Sequence, residues 1–180
     1  ASLITEAGVE TKGLHNYVTR VDRTAEEMIV QKLRPLLPGA GFITEEETDT
    51  PRGLRYNWVI DPLDGTTNFI HGVPLSSVSI ALMEGDETII GSVTEVHSRE
   101  SFLAWKDVPA LRNGQAIHVS QRQNPEESLL VTGFPYYDYD RLDAYLRLVR
   151  HFMKTTRGLR RLVSAALDPE RVACGRLDAS

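Results

Sequence analysis

One cysteine, Cys174, stands among 180 residues, so no internal disulfide can brace the chain. None is required, because a chain of this length buries roughly 70% of the surface its unfolded form exposes. The scarcity of cysteine suits a reducing compartment, and a cytoplasmic setting is expected. Aromatic residues make up only 7%, and no apolar run is long enough to span a bilayer. The N-terminus lacks the basic-then-apolar layout of a secretory signal, so no membrane partner is expected. Charge of one sign is also missing: 20 basic residues against 25 acidic ones, well mixed, leave −5. Without a basic face, no nucleic-acid partner is expected either. These absences exclude classes and name no chemistry.

What is present is organised by hydrophobic period. Residues 1–13 have weak periodicity and read as a helix end or an arm. Tyr17, Val18 and Thr19 predict an extended piece that delivers Asp22 to a turn. A helix is predicted from about Thr24, where Ala25, Met28, Ile29, Leu33 and Leu36 recur at helical spacing. Thr24 with Glu27 forms a capping-box pattern, and Pro35 and Pro38-Gly39 close the helix. The middle of the chain is β-rich. Residues 58–60 predict a short strand ending on Asp61-Pro62, and residues 77–84 and 88–96 alternate around Gly85-Asp86 as a hairpin. Residues 101–105 and 116–120 extend the antiparallel set. Beyond Asn124-Pro125, residues 129–132 read as a buried strand. Residues 140–153 read as a helix with Leu142, Tyr145, Leu146 and Val149 on one stripe. Residues 164–174 look helical with Pro169 inside, where proline costs about 3 kcal/mol. The order predicts a layered α+β or α/β fold: an N-terminal α plus antiparallel β unit over 1–125, and an incomplete C-terminal α/β unit over 126–180.

One segment carries chemistry. In Asp61-Pro-Leu-Asp64-Gly65-Thr66-Thr67-Asn68-Phe69, two carboxylates three residues apart leave the end of an apolar strand. Mg²⁺ takes hard oxygen ligands, usually one or two carboxylates with water and substrate phosphate. Asp61 and Asp64 can supply the carboxylates, and the Leu63 carbonyl lies between them. Gly65 and Thr66, opening a helical turn, would aim free N–H groups at an anion. Upstream, Phe42-Ile43 ends in Thr44-Glu45-Glu46-Glu47; bringing Glu45 or Glu46 beside the aspartates would concentrate charge that bound cations stabilise. Taken singly, an Asp-x-x-Asp pair or a glutamate run is more often a solvated turn or surface.

Together the two segments resemble the signature of the inositol monophosphatase family, within the lithium-sensitive, magnesium-dependent sugar and nucleotide phosphatases. The likeness continues through residues 18–22, 74–82, 113–120 and 164–178. It implies the layered αβαβα sandwich of that superfamily, truncated at its C-terminal part. It implies Glu46, Asp61, Asp64 and the Leu63 carbonyl as ligands to Mg²⁺, two or three ions in the family and fewer here. Thr66 and Glu46 would orient the attacking water, and Asp22 would pair with Thr66. Gly65, Thr66 and Thr67 would hold the phosphate, and Ser164-Ala165 would meet the alcohol part of the substrate. The implied activity is hydrolysis of a small phosphate monoester, inositol monophosphate first. A nucleotide or histidinol phosphate stands as an alternative, as does an impaired metal- or phosphate-binding or interaction module. A homodimer stays open. Three departures bear on this: Thr44 and Val163 stand where the family has glycine, and Pro169-Glu170-Arg171 replaces an apolar helical stretch. The chain also stops before the family's later metal-binding aspartate, so poor hydrolysis is expected of it.

Overall fold

A computed structural model describes residues 9–13, 16–46, 51–135 and 138–180. Most of the predicted arm, residues 1–8, lies outside them. Its last part is not helical: β1 (Val9–Gly13) pairs antiparallel with β2 (Asn16–Thr19). α1 (Arg20–Leu33) follows at once, so the helix begins about one turn before the expected Thr24, and Thr24-Glu27 lies inside it. The difference has a physical reason. Its buried residues are Asp22, Glu26 and Val30, one per turn, and two of the three are acids that a hydrophobic period overlooks, while Met28 is exposed.

β3 (Gly41–Thr44) runs parallel to β4 (Tyr56–Asp64), the longer strand beside it. β4 does not stop at Ile60 as expected but continues through Asp61-Pro62 to Asp64. Its ladder with β5 (Ser77–Glu84) is irregular between Asp61 and Asp64, which is where a proline with no N–H to donate is tolerated. α2 (Thr66–Ile70) leaves the strand end after Gly65. β5 and β6 (Glu87–Glu95) form the expected hairpin, β7 (Ser101–Trp105) continues the sheet, and β8 (Leu111–Arg112) with β9 (Gln115–Ala116) turns at Asn113-Gly114. The expected strand at 116–120 therefore shortens to its first residue. The seven-stranded sheet runs β3-β4-β5-β6-β7-β8-β9, antiparallel except for its first pair.

The C-terminal stretch supplies β10 (Leu129–Val131), α3 (Leu142–Thr155), β11 (Gly158–Arg160) and α4 (Leu167–Ala173). β10 and β11 pair in parallel. On α3 the expected stripe holds at Leu142, Tyr145 and Val149, while Leu146 is exposed. Pro169 is the third residue of α4, inside the first turn, where its absent N–H has no intrahelical partner to lose.

The core lies on both faces of the large sheet. Trp58 pairs with Leu82, and Leu82 with Ile90, so they share one face, where Val30 and its neighbours on α1 pack. Val93 and Phe102 pair on the other face and pack against Leu167 of α4. Helix, mixed sheet and helix thus form a layered α+β architecture, as expected. Among the described residues no helix is long and apolar enough to cross a membrane.

Candidate functional site

The acids predicted to act together gather where β3 and β4 end. In the parallel register Thr44 sits beside Ile60, and the Glu45 N–H donates to the Ile60 carbonyl at 3.2 Å, which carries Glu45 to the side of Asp61. The two side chains hydrogen-bond. Glu46 follows one residue on; its N–H donates to the carboxylate of Glu26 at 2.8 Å. Of the pair left open by the residues themselves, Glu45 is the one placed against Asp61. The resemblance had pointed to Glu46.

Asp61 is half-buried, and its Oδ1 accepts the Leu63 N–H at 3.1 Å. Burial, then the hydrogen bond and charge of Glu45 and the charge of Asp64, push its carboxyl up to about 8. An unfolded aspartate titrates near 3.9, so the fold retains a proton that the unfolded chain has released. The stability tied to that proton is full below about pH 4 and drains away as the pH climbs towards about 8. Urea unfolding in chelator should therefore give a protein less stable at about pH 8 than at about pH 5, with a flatter profile for Asp61→Asn. Equal stability at the two pH values would refute the shift.

Asp64 has a different environment. Its Oδ2 accepts from the hydroxyls of Ser77 (3.2 Å) and Ser164 and from the Ala166 N–H (3.0 Å), and its Oδ1 from the Ala165 N–H (3.1 Å). The carboxylate thereby ties the end of β4 to the turn before α4, a hundred residues away in sequence. Ser164 and Ala165, expected beside the substrate, thus stand directly against Asp64.

Gly65 turns the chain with φ +84°, and α2 starts on Thr66. The Thr66 hydroxyl lies 3.0 Å from the Leu63 carbonyl and 3.4 Å from Asp22, so the expected Asp22–Thr66 pairing is present, with Leu63 competing for the single proton. The first N–H groups of α2 have no acceptor within the helix. Thr67 follows, exposed.

Sequence reasoning gave no role to Glu26, Ser77 and Asn68. Glu26 is fully buried and sits one helical turn after Asp22, so an acid repeated at i+4 on the buried stripe was the available signal. Nothing local marks Ser77; it reaches Asp64 only through the β4–β5 register. Asp168 was missed as well: burial raises its carboxyl, with Arg171 opposing and Asp64 adding to the rise.

Hard cations fit this donor set in kind. Two carboxyls, Asp61 and Glu45, crowd together and raise the Asp61 carboxyl, and a divalent cation relieves that repulsion. Oδ1 of Asp64 accepts only one N–H and keeps lone-pair capacity. Among the described residues no three acidic, histidine or cysteine side chains already converge to metal-binding distance, so these groups would close on the ion.

Val163 holds φ +61°, left-handed backbone that strains a β-branched residue. Val163 therefore keeps the left-handed turn that a glycine would make. Such strain stores about 1–2 kcal/mol, and Val163→Gly should raise stability by about 1 kcal/mol after the extra freedom of glycine in the unfolded chain is offset. A lower urea midpoint for that variant would contradict the strain.

Comparison with known proteins adds three findings. The model of the inositol monophosphatase family matches residues 2–180. Among sequences, the "Nus factor SuhB" of Pseudomonas aeruginosa is 44% identical over 176 residues, 95% of this chain and 65% of that protein. The inositol-1-monophosphatase of Mesorhizobium japonicum is 36% identical, over 94% of this chain and 64% of that one. Among structures, the extragenic suppressor protein suhB of Bartonella henselae superposes with a TM-score of 0.89 at 36% identity, over 94% of this chain and 65% of that one. The chain spans a little under two thirds of the length of these relatives.

Proposed function

The chain belongs to the inositol monophosphatase family, and from that premise we propose that it carries the metal- and phosphate-binding part of a Mg²⁺-dependent phosphomonoesterase acting on inositol monophosphate. The observation that supports this best is the meeting of the Glu45 and Asp61 carboxyls, a strand-end aspartate and a glycine-led helical turn where β3 and β4 end and α2 begins. Asp61, Asp64, the Leu63 carbonyl and a glutamate would hold Mg²⁺. We assign that glutamate to Glu45, on its contact with Asp61, in place of Glu46. The cation supplies a water of lowered pKa and charge neutralisation around the phosphoryl group. The protein does the rest. Thr66, steadied by Asp22 and the Leu63 carbonyl, orients the attacking water. The N–H groups of Gly65, Thr66 and Thr67 receive the phosphate oxygens, and Ser164-Ala165 faces the alcohol.

The test is phosphate release by this chain from inositol-1-phosphate, a nucleoside monophosphate and histidinol phosphate, each with Mg²⁺ and with chelator. Slow, magnesium-dependent release, fastest on the inositol ester, is expected. Mg²⁺ should also raise the melting temperature by mass action, about 2.7 kcal/mol of stabilisation at a hundred times Kd. A melting curve unmoved from micromolar to tens of millimolar Mg²⁺ would remove the metal site and the proposal with it.

A second reading has its own support: the 44% identical relative is named for a Nus factor, not for an enzyme. On that reading the fold and its metal serve an interaction module, and Mg²⁺ binds without turnover of any ester.

A further inference from the structure

Asn68 has no chemical task in the reaction outlined above, yet it is 8% exposed and saturated with acceptors. Its side-chain N–H₂ donates to the Leu75 carbonyl at 2.9 Å and the Leu162 carbonyl at 3.0 Å, with the Val163 carbonyl sharing at 3.3 Å. Two of those carbonyls also form the wall in front of Gly65. A Cβ built on Gly65 would meet the Leu75 oxygen at 2.9 Å and the Val163 oxygen at 3.3 Å. One residue beyond Val163 the polarity reverses: Ser164, Ala165 and Ala166 present donors, and Asp64 accepts from all three. The segment 64–68 thus grips the turn 162–166 twice, with an acceptor at Asp64 and a donor at Asn68.

We propose that Asn68 is a positioning residue that clasps the Leu162–Val163 carbonyls against the anion-binding turn. It thereby sets the separation between the Gly65 and Thr66 N–H groups and the substrate-facing Ser164-Ala165. This rests on the reading of the site as one for phosphate esters. The clasp needs a donor of this length: three carbonyl oxygens around one amide nitrogen would repel any acceptor put in its place. It also accounts for how Val163 is kept in a left-handed conformation that its side chain disfavours.

Two variants of the full chain test it at about pH 8. Asn68→Asp keeps the shape and replaces the donor with an acceptor; Asn68→Ala removes the amide and introduces no charge. The readouts are hydrogen exchange at the Ala165 and Ala166 amides, inorganic phosphate affinity with Mg²⁺, and Mn²⁺ affinity without phosphate. Asn68→Asp should speed exchange at both amides and weaken phosphate by roughly tenfold or more, about 1.4 kcal/mol. Asn68→Ala should do less, and Mn²⁺ affinity should stay within about twofold for both, since the metal donors lie on β4 and just after β3. A merely space-filling role reverses the order, with alanine worse than the isosteric acid, and overturns the proposal. Unchanged exchange at Ala165 and Ala166 in Asn68→Asp overturns it as well. Should the acid variant fail to fold, faster exchange in Asn68→Ala with Mn²⁺ affinity retained supports the clasp, and unchanged exchange there refutes it. If the wild-type chain itself binds no phosphate, the phosphate-ester reading falls, and the exchange comparison alone decides the clasp.

Discussion

Asp64→Asn should lower the stability of the metal-free protein by about 3 kcal/mol and abolish its response to divalent cations. Charge counting alone predicts the opposite for stability, because removing one acid from an acidic cluster relieves repulsion. The hydrogen bonds reverse that expectation. The Asp64 carboxylate takes two backbone N–H groups and two hydroxyls, and both oxygens are used. An asparagine presents an N–H₂ where one of those oxygens was, so at least one backbone N–H of the turn at 165–166 faces another donor. Bonds to an ionised acceptor are worth about 1.5–3 kcal/mol each, and a donor left unsatisfied adds its own desolvation penalty. Urea unfolding in chelator, with Mn²⁺ titration of the folded variant, measures both halves of the expectation. A loss of less than about 0.5 kcal/mol would show that Asp64 does not tie β4 to the turn before α4. Retained Mn²⁺ affinity would remove Asp64 from the ligand set.

Gly65→Ala should cost about 3 kcal/mol and remove phosphate binding. The left-handed φ of +84° is worth about 1–2 kcal/mol against any residue with a Cβ. Here the Cβ would also sit 2.9 Å from the Leu75 oxygen and 3.4 Å from Ser76 Cα, backbone atoms that cannot swing aside. Relief requires the β4–α2 turn to move, and with it the N–H groups assigned to the phosphate. Gly72 provides the internal comparison. It too has positive φ, +69°, but its Cβ would meet nothing within 4 Å, so Gly72→Ala should show the conformational cost alone, about 1 kcal/mol. The difference between the two variants isolates the packing contribution. Equal losses would mean that Gly65 is required for its dihedral angles only, and the close-approach argument would fail.

Where sequence and structure agree, the signal was local. The hairpin of β5 and β6, the helix at α3, and the strand-acid-glycine-helix order from β4 into α2 each rest on neighbouring residues whose period or turn chemistry is self-contained. β11 was missed because three residues carry no period, and its pairing partner β10 lies almost thirty residues earlier. The apolar pattern of α1 begins late because two of its buried residues, Asp22 and Glu26, are acids and break it.

By itself, then, the sequence determined the kinds of atom available: hard oxygen donors at a strand end, a glycine free to turn left-handed, and hydroxyls and N–H groups directly after it. Those are properties of residue type and short spacing, and no fold is needed to read them. Which glutamate meets Asp61 was beyond its reach, because Glu45 and Glu46 lie in the turn after β3 and only the β3–β4 register carries Glu45 to Asp61. The same holds for Asp64 and Asn68. Each has partners about a hundred residues away, which it meets only because the chain, having built the sheet, returns through the turn at 162–166 to pack α4 on its far face.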